Sequence, residues 1–322
     1  LALSFNIDGI PIFTSSGKGM WPILGSFQLN SVTRVFPVAL TFGKSKPTDL
    51  DFLKDFVSEL NSVVRSGVGI LQQKLEVTLK CMVCDAPAKA FVLGTKLCTG
   101  YYGCGKCDQK GALFKGRVVY PGVDAEPRTD ATFRFEDQPG HHKGKTPLTD
   151  VVCMDMVEHF PIDYMHQVCL GVMRKLLQCW VNGDRAHRLS AQQVLMISTR
   201  LRSLAKYVPS IFRQPRGLEE LARWKAVEFR QFLMYTGSIV LRGIVREEVY
   251  DHFQSFSVAI CILCNPELSR HFEYAGKLLK YVVLKGAQLY GKEFLVYNVH
   301  SLLHLADQAK QYGSLSCFRF LD

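Results

Sequence analysis

Two aspartates, a cysteine pair and a histidine pair are the residues of this chain whose types and spacing could do chemistry. Leu3 to Ile7 is a short apolar run that ends in Asp8-Gly9, and Glu76 to Val83 is a second that leads through Cys84 into Asp85. Each reads as a strand delivering a carboxylate at its C-terminal end. Two carboxylates about 4 Å apart repel by roughly 4 kcal/mol at an effective dielectric of 20, so one is protonated or a cation sits between them. Oxygen donors suit a hard cation such as Mg2+ or Mn2+. The glycine-loosened TGYYGCGKC places Cys104 and Cys107 three apart, a thiolate pair that suits Zn2+. His300 and His304 are four apart, so on a helix they share a face and could grip one metal. The bland readings stay open: aspartates are common turn residues after strands, and paired histidines are often packed within a fold.

The elements that would position these groups can be read from periodicity. Three strands, Leu3 to Ile7, Trp21 to Leu29 and Val35 to Phe42, form a meander. TSSGKG between the first two lacks the first glycine of a phosphate loop, with Ile12 in its place, and Gly19 follows Lys18 where Ser or Thr is needed. It is therefore read as a hairpin turn. An amphipathic helix runs from about Asp49 to Arg65, with Thr48 as its cap, and Glu76 to Val83 returns as a fourth strand. A crossover helix makes that strand parallel to one already in the sheet. Three strands, a helix and a strand ending in Asp is the order of an α/β, ribonuclease-H-like (retroviral integrase-type) nuclease core, in which the first and fourth strands are neighbours. Asp8 and Asp85 would then end adjacent strands.

Phe114 to Pro147 is rich in Gly, Pro, Lys and Arg and reads as a mobile basic loop; its adjacent His141 and His142 are a weak metal-ligand candidate. Cys153 to Phe160 reads as a fifth strand or an irregular lead-in. Helices are expected over Asp163 to Val181, Ser190 to Tyr207, Leu218 to Val245, Glu247 to Leu263 and Glu267 to Tyr290. Asn265 caps the last of these, with Pro266 at its first position. A final helix opens near Glu293 and carries the histidine pair. The expected organisation is a nuclease core over 1–185 carrying the Cys-x-x-Cys and the basic loop, a helical insertion over 186–292, and a return helix over 293–322.

Composition narrows the partners. A formal charge of +10 favours an acidic partner, and with no apolar run of membrane-spanning length, nucleic acid outranks a lipid surface. Eleven cysteines scattered through predicted strands and helices read as buried thiols and metal ligands, hence a reducing, intracellular setting. The chain opens on Leu1 with strand-like sequence at once, which reads as a piece of a longer protein.

Together, NIDGIPIF (6–13), WPILG (21–25), CDAPAKA (84–90), GYYGCGKC (100–107), FPIDYMHQVCLGVM (160–173), HSLLH (300–304) and YGSLSCFRF (312–320) resemble the DDE transposases of the CACTA (EnSpm) group within the CMC superfamily. The resemblance covers essentially the whole chain, in the family's order. It implies divalent-metal-dependent cleavage and strand transfer of DNA at transposon ends, in the nucleus, by a homodimer or larger transpososome. Asp8 and Asp85 would be the first two catalytic carboxylates, and His166 falls in the family's Met-His motif. A more distant similarity to the RAG recombinase core implies one structural zinc held by Cys104, Cys107, His300 and His304, clamping the helical insertion to the core. The rival set, Cys81-x-x-Cys84 with Cys104-x-x-Cys107, has zinc-ribbon spacing, but strand alternation points Cys81 and Cys84 to opposite faces.

The sequence departs from the family at the third acid. Where an aromatic-x-aromatic-Glu segment is expected, Phe318-Arg319-Phe320 is followed by Leu321 and then Asp322. Asp322 would be the third ligand one place late, which on a helix turns it by roughly 100°. Two other functions are therefore carried alongside the enzyme: a degenerate or domesticated transposase that binds DNA or a partner without cutting, and a zinc-stabilised helical interaction module.

Overall fold

The computed structural model describes residues 1–11, 18–29, 32–43, 46–70 and 73–315. The proposed hairpin turn at TSSGKG and the segment with Leu321 and Asp322 lie largely or wholly outside these residues. The chain is of the α/β class and divides into two compact units. Among the described residues one comprises Leu1–Gly111 and Ala125–Asp163, the other Ala112–Asp124 and 164–315.

The first unit is built on a mixed sheet. Strand β1 (Ala2–Ile7) buries Leu3, Phe5 and Ile7 on one face, the period-two pattern of a half-covered strand. After the short β2 (Ile10–Pro11), the long strands β3 (Gly19–Leu29) and β4 (Val32–Gly43) form an antiparallel hairpin, and β3 also pairs with β1. Helix α1 (Lys54–Ser66) follows a 3-10 turn at Asp51–Leu53, and Leu53, Phe56, Val57 and Leu60 turn one stripe onto the sheet. The Phe56 ring meets Phe5 edge-on at 5.0 Å. Thr48 does not cap this helix; its hydroxyl donates to Asp49, whose Oδ1 accepts from the Asp51 N–H, so the aspartate organises the entry. Gly67 ends the helix at φ +68°, where a Cβ would stand 2.6 Å from the Leu75 carbonyl. A small ribbon, β5 (Val68–Ile70) with β6 (Gln73–Leu75), leads to β7 (Thr78–Val83).

The crossover expected from the sequence is present: β7 lies parallel to β1, with Asn6 paired to Val83 and a register shift at Leu3/Ser4. The sheet runs β2-β3-β1-β7, with β4 also paired to β3. Beyond β7 there is no fifth strand at Cys153 to Phe160. Cys153 adopts φ +61°, and Asp155 Oδ1 accepts from the N–H groups of Val157 and Glu158. Those bonds wind the segment into turns, and the His159 carbonyl reaches the strand edge, accepting from Met82 N–H at 2.7 Å. Helix α2 (Ala86–Val92) starts directly after β7.

The stretch read as a mobile basic loop is folded. It contains the hairpin β8 (Ala112–Phe114) and β9 (Arg117–Val119) and the helix α3 (Asp130–Arg134), which is capped reciprocally by Thr129 and Thr132. Two of its cations are in structural use. Arg128 is buried and donates from Nε to the Cys104 carbonyl, while Arg134 pairs with Asp130 and donates to the carbonyls of Thr149 and Met154.

The second unit is helical apart from β8 and β9. A π-helical stretch, Met165–Met173, runs into α4 (Arg174–Asn182); α5 (Ala191–Leu204) opens on a capping box between Ser190 and Gln193. The single helix expected over Leu218 to Val245 is instead a 3-10 segment (Leu218–Arg223), α6 (Ala226–Gln231), a π turn (Phe232–Thr236) and α7 (Gly237–Leu241). Arg216 explains the first break: its guanidinium holds the buried Glu228 carboxylate through two bonds of 2.7 Å and also donates to the Arg223 carbonyl. Glu228 in turn accepts from Lys225 N–H, fixing the chain extended there. Long helices α8 (Glu247–Cys264) and α9 (Phe272–Tyr290) pack together; Asn265 accepts from Glu267 N–H, but it caps a 3-10 segment (Pro266–His271), and the helix expected from Glu267 begins only at Phe272. Among the described residues no helix is long and apolar enough to cross a membrane.

Candidate metal centres

Asp8 and Asp85 each stand two residues beyond a paired position, Asn6 and Val83, of two parallel neighbouring strands. The Asn6 side chain ties the strands together at that end by donating to the Val83 carbonyl at 2.9 Å. Each carboxylate is braced by backbone: Asp8 Oδ1 accepts from Gly9 N–H, and Asp85 Oδ1 caps α2 by accepting from Ala88 N–H, both at 2.7 Å. Asp85 is therefore an N-cap as well as a candidate ligand. The fully buried Cys84 thiol is pushed up to about 12, first by burial, with the charges of Asp8 and Asp85 adding to the effect. Lysines gather here too. The Lys46 ammonium is lowered by burial and by Lys143 and raised by Asp85. Lys89, one turn after Asp85, is buried with Nζ donating to the carbonyls of Phe160 and Pro161, and burial lowers it to about 8. Lys46 was missed in the sequence, where a lysine in a polar turn carries no pattern that marks it.

Cys104 and Cys107 form a tight knuckle. Their sulfurs are 3.6 Å apart, far beyond a disulfide and close to the roughly 3.8 Å edge expected of two sulfurs on one zinc. Lys106 N–H points at Cys104 Sγ from 3.5 Å, and the knuckle is tied to residues 126–128 through Lys106, Asp108 and Arg128. The Cys107 thiol is driven well above its ordinary range by its contact with Cys104 and by burial.

His300 and His304 do not lie on one regular helix. A 3-10 turn (Lys292–Phe294) precedes α10 (Tyr297–His300), a second 3-10 turn (Ser301–His304) follows, and only then comes α11 (Leu305–Tyr312). The two rings nevertheless approach to 5.3 Å between centroids, and His300 stacks on buried Tyr120 at 5.2 Å. Cys104, Cys107, His300 and His304 offer two thiols and two imidazoles, a set that could hold a metal ion such as zinc.

The competing ribbon is not formed. Cys81 Sγ contacts Ser4 Oγ at 3.6 Å and Cys84 is in the sheet core, so neither joins a metal-competent cluster among the described residues. His141 is committed elsewhere: Nδ1 meets the Tyr102 carbonyl at 2.6 Å, and burial lowers the ring to about 4. His166 lies half-buried in the π-helical stretch. Asp322 lies outside the described residues. No protein-family model matches the chain, and no curated protein matches it.

Proposed function

We propose that this chain is the catalytic core of a CACTA-like DDE transposase, a ribonuclease-H-like nuclease that cuts and joins DNA strands at transposon ends. The observation that carries the reading is the parallel pairing of β1 with β7, whose register sets Asp8 and Asp85 at the same step beyond adjacent strand ends. Divalent Mg2+ or Mn2+ held there would supply the charge that lowers the barrier to in-line displacement at phosphorus. The chain's own residues would bind and orient the substrate: the carboxylates are preset by backbone bonds, and Lys46, which feels the charge of Asp85, offers positive charge to a phosphate. Asp322 is the third acid on this reading. Zinc held by Cys104, Cys107, His300 and His304 would be structural, since four protein donors leave no open position for substrate. DNA is the partner, in a homodimer or larger assembly within the nucleus.

One observation favours a second reading, a transposase-derived protein that binds DNA without cutting it: Leu321 stands where the resemblance calls for the third acid. The deciding experiment is strand cleavage of DNA with Mn2+ or Mg2+ by the chain, by Asp8→Asn and Asp85→Asn variants, and by a version extended with whatever natural sequence follows residue 322. Cleavage lost in both variants supports the nuclease. Activity in the extended version alone would place the third acid beyond residue 322. DNA binding without cleavage in every version would leave the second reading standing.

A further inference from the structure

The carboxylate end of the sheet is bordered by a small cavity that the metal chemistry does not use. It has a volume of about 210 Å3 and is lined by Trp21, Thr41, Lys46 and Thr48 among others. Two observations set it beside the carboxylates. Gly9, the neighbour of Asp8, lies flat against the Trp21 indole, where a Cβ would come within 2.8 Å of Cζ2. Lys46, an exposed residue on the cavity wall, feels the charge of Asp85. Its Nζ sits 3.6 Å from the centre of the Phe91 ring and 5.8 Å from that of Trp21, and the Trp21 and Phe91 rings themselves meet edge-on at 5.1 Å. The cavity is smaller than the roughly 300–1,000 Å3 of pockets that enclose a whole drug-sized ligand. It suits one flat ring system. An indole wall, threonine hydroxyls and a positioned ammonium form a set that takes an aromatic ring carrying an anion on its tether, which is a nucleotide.

We propose that this cavity is a nucleotide subsite, in which an unpaired base of the bound DNA strand rests on Trp21 while Lys46 contacts the adjoining phosphate. The inference deepens the nuclease reading and rests on it for the phosphate presented to Asp8 and Asp85. Stacking on an aromatic face tolerates any base, and an unpaired nucleotide costs least to bring out of the duplex. The subsite would therefore select local strand opening rather than sequence.

The test is binding of two otherwise identical duplexes, one carrying a single unpaired 2-aminopurine and one with that base paired. For the unaltered protein we expect about tenfold tighter binding of the unpaired duplex and a change in 2-aminopurine emission on binding. Trp21→Ala should lose both, and Trp21→Phe, which keeps a ring, should retain the preference in part, guarding against simple misfolding. Lys46→Ala should weaken both duplexes by a similar factor and reduce the salt slope by about one. Equal affinity for the two duplexes with unchanged emission, or a preference that survives Trp21→Ala, overturns the subsite. Failure of the nuclease reading is read separately: cleavage that survives Asp8→Asn would sink that reading, whatever the emission shows.

Discussion

Asp8 and Asp85 are set in place by a β ladder, His300 and His304 by a broken helical segment, and the two pairs show how differently spacing translates into position. In the sheet, the β1–β7 ladder fixes the register and the Asn6 side chain adds a bond to the Val83 carbonyl, so a residue two steps past the paired position on each strand has its place decided by the pairing. The histidines have no such ladder. Their four-residue spacing predicts a shared helical face, yet the backbone passes from α10 through a 3-10 turn before α11 begins. What brings the rings to 5.3 Å is tertiary support, above all the stacking of His300 on Tyr120, whose own N–H donates to the Leu295 carbonyl. A ladder carries its geometry locally, whereas a broken helix borrows it.

The histidine side is the more easily disrupted of the two. If zinc completes the histidine geometry, Cys104→Ser or His300→Ala should remove one equivalent of bound zinc, measured by elemental analysis of the purified protein, and destabilise it by several kcal/mol. A strong zinc chelator should produce the same loss in the unaltered chain. The Asp8→Asn variant should keep its zinc and its melting temperature within a few degrees. Equal zinc loss in both classes of variant would erase the distinction.

A second effect concerns what supports the helical unit internally. Its core contains a buried chain in which Trp180 Nε1 donates to Tyr290 OH at 3.2 Å, the hydroxyl meets His252 Nδ1 at 3.4 Å, and His252 Nε2 donates to the Val282 carbonyl at 3.0 Å. A carbonyl only accepts, so Nε2 carries the proton and Nδ1 is left to accept. Burial lowers the His252 pKa from 6.5 to about 4. The unfolded chain therefore binds this proton more readily than the folded one. The stabilisation is complete above about pH 6.5 and is lost as the pH falls toward 4, a change of roughly 3 kcal/mol. Denaturant midpoints at pH 7 and pH 4.5 should show a smaller difference in His252→Gln than in the parent.

Two glycines give a matched test of intermediate size. A Cβ at Gly9 would stand 2.8 Å from Trp21 Cζ2, and one at Gly171 would stand 2.7 Å from Asn298 Nδ2, two residues before His300. Overpacking of this kind costs about 1–3 kcal/mol. Gly171→Ala should also weaken zinc binding, because Asn298, which accepts from Gln167 Nε2 at 3.1 Å, must move in the segment leading to the histidines. Gly9→Ala should leave zinc content unchanged, and a zinc loss there would contradict the separation of the two sites.

Much of the sheet was legible because its signals are short-range. Apolar runs ending in Asp, a helix with buried positions at Leu53, Phe56, Val57 and Leu60, and the crossover rule together predicted the parallel neighbour of β1. The breaks in the helical unit were not legible, because their causes are tertiary. Nothing in the local pattern around Trp224 announces that Arg216 will take Glu228 and hold Lys225 extended. At Cys153 to Phe160 the sequence leaves a strand and an irregular lead-in open, and the second forms because the carboxylate of Asp155 outcompetes the ladder for the N–H groups of Val157 and Glu158. Lys46 escaped notice because its significance lies in facing Asp85, thirty-nine residues away.

The smallest effect separates the two roles of Asp85. As an N-cap it accepts from Ala88 N–H, and asparagine caps a helix about as well as aspartate, whereas alanine costs about 1 kcal/mol. As a candidate cation ligand it needs its charge, which asparagine lacks. Asp85→Asn should therefore match the parent in stability, while Asp85→Ala should fall by about 1 kcal/mol. If Asp85 holds a catalytic cation, both should lose strand cleavage equally. A thermal scan beside the cleavage assay distinguishes the cases: retained cleavage in the asparagine variant alone would make Asp85 a cap and nothing more. The strand-end pairing would then have explained a fold feature rather than a site.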